Sequence, residues 1–124
     1  MCHNSEIGGA RAPTAEECAL LLKLLSAGGE VLESLRRQLQ AIMVESLDSD
    51  GGLRLHPVGG LPAQVSRRIP VEASYPDFDD VMVHVLLHVL DGFVNELEVF
   101  REDSLPVQRA ASSVSDLKVE LWIS

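Results

Sequence analysis

The stretch that decides the fold runs from Val81 to Arg101 and reads VMVHVLLHVLDGFVNELEVFR. Apolar and polar residues alternate on both sides of Asp91-Gly92, and this dipeptide is typical of tight β-hairpin turns. Alternation with a period of two places successive side chains on opposite faces of a sheet. The sequence therefore predicts two antiparallel strands, 81–89 and 93–100, joined at Asp91-Gly92.

The register of this hairpin depends on where its carboxylates fall. A two-residue turn would put Glu96 and Glu98 on the valine face of the first strand. A three-residue turn, with Gly92 left-handed and bulged, pairs Val85 with Leu97 and leaves that face free of carboxylates. We therefore expect the three-residue turn. The second face would then hold three opposed pairs, His84 with Glu98, Leu86 with Glu96, and His88 with Val94.

Two helices are predicted before the sheet. Thr14 and Glu17 have the spacing of a capping box, and the leucine-rich segment 19–25 follows them. The Gly-Gly pair at 28–29 favours a left-handed end to this helix. Apolar residues three and four apart indicate a second helix from about Glu30 to Leu39.

Further segments alternate with a period of two. Residues 42–47 and 53–56 flank the turn-rich DSDGG at 48–52 and suggest a hairpin, although a second helix continuing through 41–47 is an open alternative. Residues 65–75 predict a strand with an edge or bulge at Pro70, which has no N–H to donate. Residues 101–116 are polar and indicate a loop. The alternation over 117–123 favours a last strand, and an irregular segment there is the open alternative.

These elements predict an α+β fold, with two N-terminal helices packed on one face of a mostly antiparallel sheet of five to six strands. Residues 1–13 contain two glycines and a proline and suggest a flexible leader. Residues 14–124 form one domain, since no linker divides them.

The charge balance excludes some classes of function. Ten Lys and Arg against nineteen Asp and Glu give a net charge of −9, which argues against binding to nucleic acid or to an anionic membrane. The acidity serves solubility or, alternatively, offers an acidic face to a basic protein. Cys2 and Cys18 form no CxxC pair, and no signal-peptide pattern or membrane-length apolar run occurs, so a reduced, cytoplasmic protein is expected.

The candidate chemical groups are few. On a strand, His84 and His88 would lie about 13 Å apart, too far to share a zinc ion with bonds of about 2 Å. The acidic turn at 77–80 lacks the Gly and Glu that a calcium loop requires. No nucleophile elbow, phosphate loop or dinucleotide fingerprint occurs. We expect neither a metal nor a cofactor.

The favoured function is therefore non-enzymatic binding through the second face of the sheet. The residues predicted to line that surface are His84, Leu86, Glu96, Glu98 and Arg101. One alternative is a small hydrolase-like enzyme that uses Glu98 and His84, which would require a closed pocket around them. Another is a structural homo-oligomer, such as a homodimer, formed through an exposed strand edge.

The pieces YPDFDD, VMVHVLLHVLDG, FVNELEVF and REDSLPV, together with the two leading helices and the DGG turn at 50–52, resemble a group of small uncharacterised bacterial proteins. The resemblance covers about residues 14–108. It departs at the acidic turn, where Asp79-Asp80 replaces an Asp-Gly pair. Some such proteins look like immunity or antitoxin components, and the resemblance implies no catalytic residues.

Overall fold

The computed structural model describes residues 9–122. Within this range, two helices precede a sheet of six strands, and a short 3-10 turn lies between the fifth and sixth strands. The helices are α1 (Ala15–Leu24) and α2 (Glu30–Arg37). The strands are β1 (Met43–Ser46), β2 (Leu53–His56), β3 (Val71–Pro76), β4 (Met82–Leu90), β5 (Phe93–Arg101) and β6 (Lys118–Leu121), and the 3-10 turn is Ala111–Ser113.

The start of α1 is the predicted capping box. The Thr14 hydroxyl accepts a hydrogen bond from the Glu17 N–H, and the Glu17 carboxylate accepts one from the Thr14 N–H. The predicted left-handed end is wrong, because α1 stops at Leu24 and its C-cap, Leu25, has a φ of −103°. Gly29 does have a positive φ of 118°, but it is the N-cap of α2.

All six strands form one antiparallel sheet in the order β1-β2-β5-β4-β3-β6. The predicted α+β architecture is confirmed. Residues 43–46 are a strand and not a continuation of α2, and residues 118–121 are a strand as favoured. The third strand is shorter than predicted and begins at Val71, since Pro70 cannot donate to a ladder.

The hairpin of β4 and β5 differs from the predicted register. Asp91 and Gly92 have φ values of 53° and 84°, and Leu90 pairs with Phe93. This is a two-residue turn, so the predicted three-residue turn is wrong. The extra residue lies further along, where the ladder shifts between the pairs Val89–Val94 and His88–Glu96 and leaves Asn95 as a bulge.

The bulge keeps the carboxylates of β5 out of the core, which was the expected effect of the three-residue turn. Val94 and Leu97 both point into the core although they are three residues apart. Beyond the bulge, Val85 faces Val99 and Leu87 faces Leu97. Glu96 and Glu98 therefore stay out of the core, as the argument from buried charge required.

The core lies between the helices and one face of the sheet. Leucines of both helices, among them Leu21, Leu24 and Leu35, are at most 1% exposed and belong to the same cluster as Val83, Val85 and the other inward residues of the strands. The helices thus cover one face of the sheet and leave the other open. Within residues 9–122, no helix is long and apolar enough to cross a membrane.

Residues 1–8 of the predicted flexible leader lie outside the described residues. The part that is described includes Arg11, which forms a β-bridge with Val44 through backbone hydrogen bonds of 2.7 and 2.8 Å. Its guanidinium also binds Glu17, at 2.8 Å. The outer edge of β1 is therefore partly paired by the chain that precedes α1.

Candidate functional site

The side of the sheet opposite the helices is uncovered, and we call its central part the outer face. It consists of Glu72 and Ser74 of β3, of Met82, His84, Leu86, His88 and Leu90 of β4, and of Glu96, Glu98 and Phe100 of β5. These residues alternate with core residues along each strand, as expected of an antiparallel sheet packed on one side. The outer face is the surface that the sequence singled out.

Three apolar side chains alternate with His84 and His88 down the middle of the outer face, and we call these three the apolar ridge. Met82, Leu86 and Leu90 occupy alternate outward positions of β4, and Leu90 is 47% exposed. Glutamates flank the ridge, because Leu86 pairs with Glu72 on one side and with Glu98 on the other. The predicted pairing of Leu86 with Glu96 is wrong, because the two-residue turn and the bulge each shift β5 by one position from the expected register.

His88 is held between two charged residues. Its Nδ1 accepts a hydrogen bond from the Arg68 Nε–H at 3.2 Å, and its Nε2 lies 2.9 Å from Glu98 Oε1. Arginine has only donors, so Nδ1 carries no proton in this arrangement. In the tautomer that fits both contacts, Nε2 carries the proton and donates it to Glu98.

His84 makes a separate pair. Its Nε2 lies 2.8 Å from Glu102 Oε1, and its ring stacks on Phe100 with a centroid distance of 5.3 Å and an interplanar angle of 27°. The predicted placement of His84 beside Glu98 is wrong, because Phe100 is its cross-strand neighbour. His84 and Glu98 thus belong to two different pairs.

Charged pairs continue towards the β1 edge of the sheet. Glu96 pairs across the strands with Arg54 of β2, and His56 Nε2 lies 3.4 Å from Glu45 Oε1. Each of the three histidines on this side of the sheet therefore faces a glutamate. Within residues 9–122, no group of three or more His, Cys, Asp or Glu side chains is arranged to hold a metal ion.

Arg101 does not lie on the outer face, which corrects its place in the predicted surface. It follows Leu97 and Val99 on the inward side of β5 and is 2% exposed. Its guanidinium contacts Asp77 at 2.9 Å, Asp79 at 3.0 Å and Asp103 at 2.7 Å. Arg101 thus joins the β3–β4 turn to the loop that follows β5.

Asp77 is the buried centre of this Arg101 cluster. Besides Arg101, it accepts hydrogen bonds from the backbone N–H groups of Gln108, at 2.9 Å, and Arg109, at 2.7 Å. Burial alone would raise the pKa of Asp77, but these hydrogen bonds hold it below the usual value. The hydrogen bond from Arg101 lowers the pKa of Asp103 to about 2. Through Arg101, the acidic turn is tied to the loop that follows β5.

The helical layer has a small cleft of its own. Its volume is about 210 Å³, and it is lined mainly by apolar side chains of α1, α2 and the segment that follows α2, with Cys18 and Arg36 at its wall. None of the outer-face residues contributes to it. The outer face and this cleft therefore lie on opposite sides of the sheet.

Residues 10–111 match a family described as a domain of unknown function, DUF6984. The chain belongs to the DUF6984 family. No curated protein and no solved structure shows a match. The family match includes both helices, β1 to β5, the outer face and the whole Arg101 cluster, and it ends before β6.

Within the DUF6984 domain, the structure brings together four of the five predicted surface residues. His84, Leu86, Glu96 and Glu98 share the outer face, and Arg101 is the exception. Sequence reasoning assigned Arg68 to the strand predicted over residues 65–75 and gave it no role in the surface, whereas the structure places it in the loop before β3. Sequence reasoning also missed the burial of Arg101, although the even spacing from Leu97 was a sufficient signal.

Proposed function

We propose that this DUF6984 protein is a non-enzymatic binding protein and that the outer face is its contact surface. The observation that carries the proposal is the apolar ridge of β4 with its flanking glutamates. Protein interfaces commonly combine an apolar centre with a polar rim. Met82, Leu86 and Leu90 would supply the centre.

The charges around the ridge favour a basic protein as the partner. Glu72, Glu96, Glu98 and Glu102 surround it, and the chain as a whole has a net charge of −9. Complementary charges at a rim accelerate association and select among partners. The resemblance to small bacterial proteins extends the proposal to an immunity- or antitoxin-like role in the cytoplasm, in which the basic partner is a toxin.

The hydrolase-like alternative has less support. It needs Glu98 and His84 in one pocket, whereas Glu98 binds His88 and His84 binds Glu102. A general acid or base must reach its substrate from a shared site. The open, ridged form of the outer face suits a protein surface better than it suits a small substrate.

The test is affinity capture from the native host with three forms of the chain. The first is the wild type, and the second is the outer-face variant Glu96→Lys/Glu98→Lys. The third is Glu16→Lys/Glu30→Lys, which makes the same change of charge at two exposed positions on the helical layer. The proposal expects a protein that the wild type and the helical control retain and that the outer-face variant loses.

Association rates measured with the captured protein complete the test. The outer-face variant should associate more slowly, and the difference should shrink as salt rises because the charges are exposed. Chemical denaturation should show that both variants remain folded. Retention of the partner by the outer-face variant at low salt would overturn the proposal.

A further inference from the structure

The strand β6 forms one edge of the sheet. It pairs with β3 on one side, and no strand within residues 9–122 pairs with its other side. Lys118 and Glu120 are exposed, and Leu121 is 42% exposed. The unpaired N–H and C=O groups of an edge strand can pair with another strand. An uncovered edge therefore either binds a partner strand or carries features that block such pairing.

The backbone groups that face the free edge can be assigned from the ladder. The Trp122 N–H donates to the Pro70 carbonyl at 2.8 Å, which makes residues 122 and 70 a hydrogen-bonded pair. Hydrogen-bonded pairs alternate along an antiparallel ladder. Glu120 and Lys118 therefore direct their backbone groups to β3, whereas Leu117, Val119 and Leu121 direct theirs to the free edge.

We propose that the free edges of two copies of this chain pair antiparallel about Val119. In that register Val119 faces Val119 of the second copy, and Leu117 faces Leu121 of the second copy. Each of these opposed residues has its N–H and C=O directed to the edge. Lys118 then lies opposite Glu120 of the second copy, and twofold symmetry makes this attractive pair twice.

The neighbouring registers lack this match. Pairing about Glu120 places two glutamates against each other and sets Lys118 against Trp122. Pairing about Lys118 places two lysines against each other and sets Asp116 against Glu120. Like charges directly opposite each other destabilise a strand pair. The charge sequence of β6 therefore selects one self-complementary register.

The symmetry of the pairing has a structural consequence. The twofold axis stands perpendicular to the sheet, so the helices of both copies lie on the same side. The two six-stranded sheets join into one continuous sheet, and the two outer faces form one surface. Because the strands in contact are short, the dimer is expected to be weak and to depend on concentration.

Reversing these charges should leave the fold of each chain intact. Across β3, Lys118 pairs with Ser74 and Glu120 pairs with Glu72. Lys118→Glu therefore meets a neutral neighbour within the chain. Glu120→Lys replaces a pair of like charges with an attractive one. Loss of association in either variant would thus report on the contact between chains.

The experiment is sedimentation equilibrium at rising concentrations, up to about millimolar protein. The wild type should dimerise. Lys118→Glu alone and Glu120→Lys alone should each raise the dissociation constant about tenfold, since two attractive pairs become repulsive. The double variant Lys118→Glu/Glu120→Lys should dimerise like the wild type, because the pairs are restored with opposite polarity. The single variants, when mixed, should associate with each other.

A matched control is Arg67→Glu, which makes the same charge change at an exposed position in the loop before β3. It should dimerise like the wild type. A wild type that stays monomeric overturns the proposal and leaves the edge to a strand of a different protein. A double variant that stays monomeric overturns the register. Both outcomes are independent of the partner proposed for the outer face.

Discussion

The Nε2 atom of His88 lies 2.9 Å from Oε1 of Glu98, while Arg68 donates to the opposite ring nitrogen at 3.2 Å. The ring is thus held from both sides, and only 14% of the side chain is exposed. This arrangement fixes both the orientation and the tautomer of a histidine at the middle of the outer face.

The first prediction concerns that tautomer. At alkaline pH, His88 should carry its proton on Nε2, because an arginine donor occupies Nδ1. Nitrogen-15 NMR of the imidazole would show it directly. In Arg68→Ala the preference should weaken, since Nδ1 loses its donor. A proton on Nδ1 in the wild type would contradict the arrangement.

The second prediction concerns zinc. His84 and His88 lie four residues apart on one strand, a separation of about 13 Å, and each already faces its own glutamate. We expect no stoichiometric zinc in the purified protein. Elemental analysis provides the test. One zinc per chain, lost in His84→Ala/His88→Ala, would refute the prediction.

The third prediction concerns the β4–β5 turn. Gly92 has a φ of 84°, and a Cβ atom there would lie 2.7 Å from Pro62 Cβ and 2.8 Å from the Ala63 oxygen. Gly92→Val adds backbone strain to this overlap and should lower the free energy of unfolding by at least about 2 kcal/mol.

The matched comparison for this variant is His84→Ala on the outer face. It removes a side chain that is 31% exposed and should change the free energy of unfolding by less than about 1 kcal/mol. Chemical denaturation of both variants gives the two values. A Gly92→Val midpoint equal to that of the wild type would show that the turn is not the one described.

The fourth prediction concerns acid stability. The pKa of Asp103 is lowered from 3.8 to about 2 by the Arg101 guanidinium. Because the folded state has the lower pKa, this group contributes stability above about pH 4, and that contribution is lost as the pH falls towards 2. Asp103→Asn should therefore show a shallower loss of stability over that range in denaturation curves.

Arg101 itself provides the control for the acid prediction. Arg101→Ala would leave Asp77 buried without its cationic partner, and removing one partner of a buried ion pair is strongly destabilising. The loss at neutral pH should exceed that of Asp103→Asn, whose side chain is 35% exposed. Equal effects of the two variants would contradict the central place of Arg101.

The fifth prediction concerns Gln38, which is 1% exposed. Its Nε2 donates to the carbonyls of Leu61 and Gly92, and its Oε1 accepts from the Val94 N–H at 2.8 Å. Gln38→Leu should cost about 2 kcal/mol or more, since the Val94 N–H loses its partner. The exposed Gln40→Leu should be nearly neutral in the same thermal or chemical unfolding assay.

Local patterns were enough to predict the elements of this fold. The capping box of Thr14 and Glu17, the leucine stripes and the alternation of β4 are each written in a few neighbouring residues. The outer face followed from the same alternation, which is why His84, Leu86, Glu96 and Glu98 were placed on it correctly. The argument from buried charge also predicted correctly that Glu96 and Glu98 stay out of the core.

Other features depend on residues that are far apart in the chain. Two arrangements kept Glu96 and Glu98 out of the core, a longer turn or a later bulge, and the buried-charge argument did not distinguish them. The burial of Arg101 depends on aspartates more than twenty residues away, and Gln38 reaches a turn 54 residues downstream. Periodicity alone does not contain such information.

The bulge at Asn95 has an effect beyond its own hairpin. The strand β2 pairs with β5 only past the bulge, through Leu53–Leu97 and Arg54–Glu96, and β1 is aligned on β2 in turn. One inserted residue thus determines how β1 and β2 are aligned against β4 and β3. If the ladder continued past Val94 without the bulge, Leu87 would face Glu96 and Val85 would face Glu98, so β1 and β2 would be offset by one position against β4 and β3 and carboxylates would enter the core.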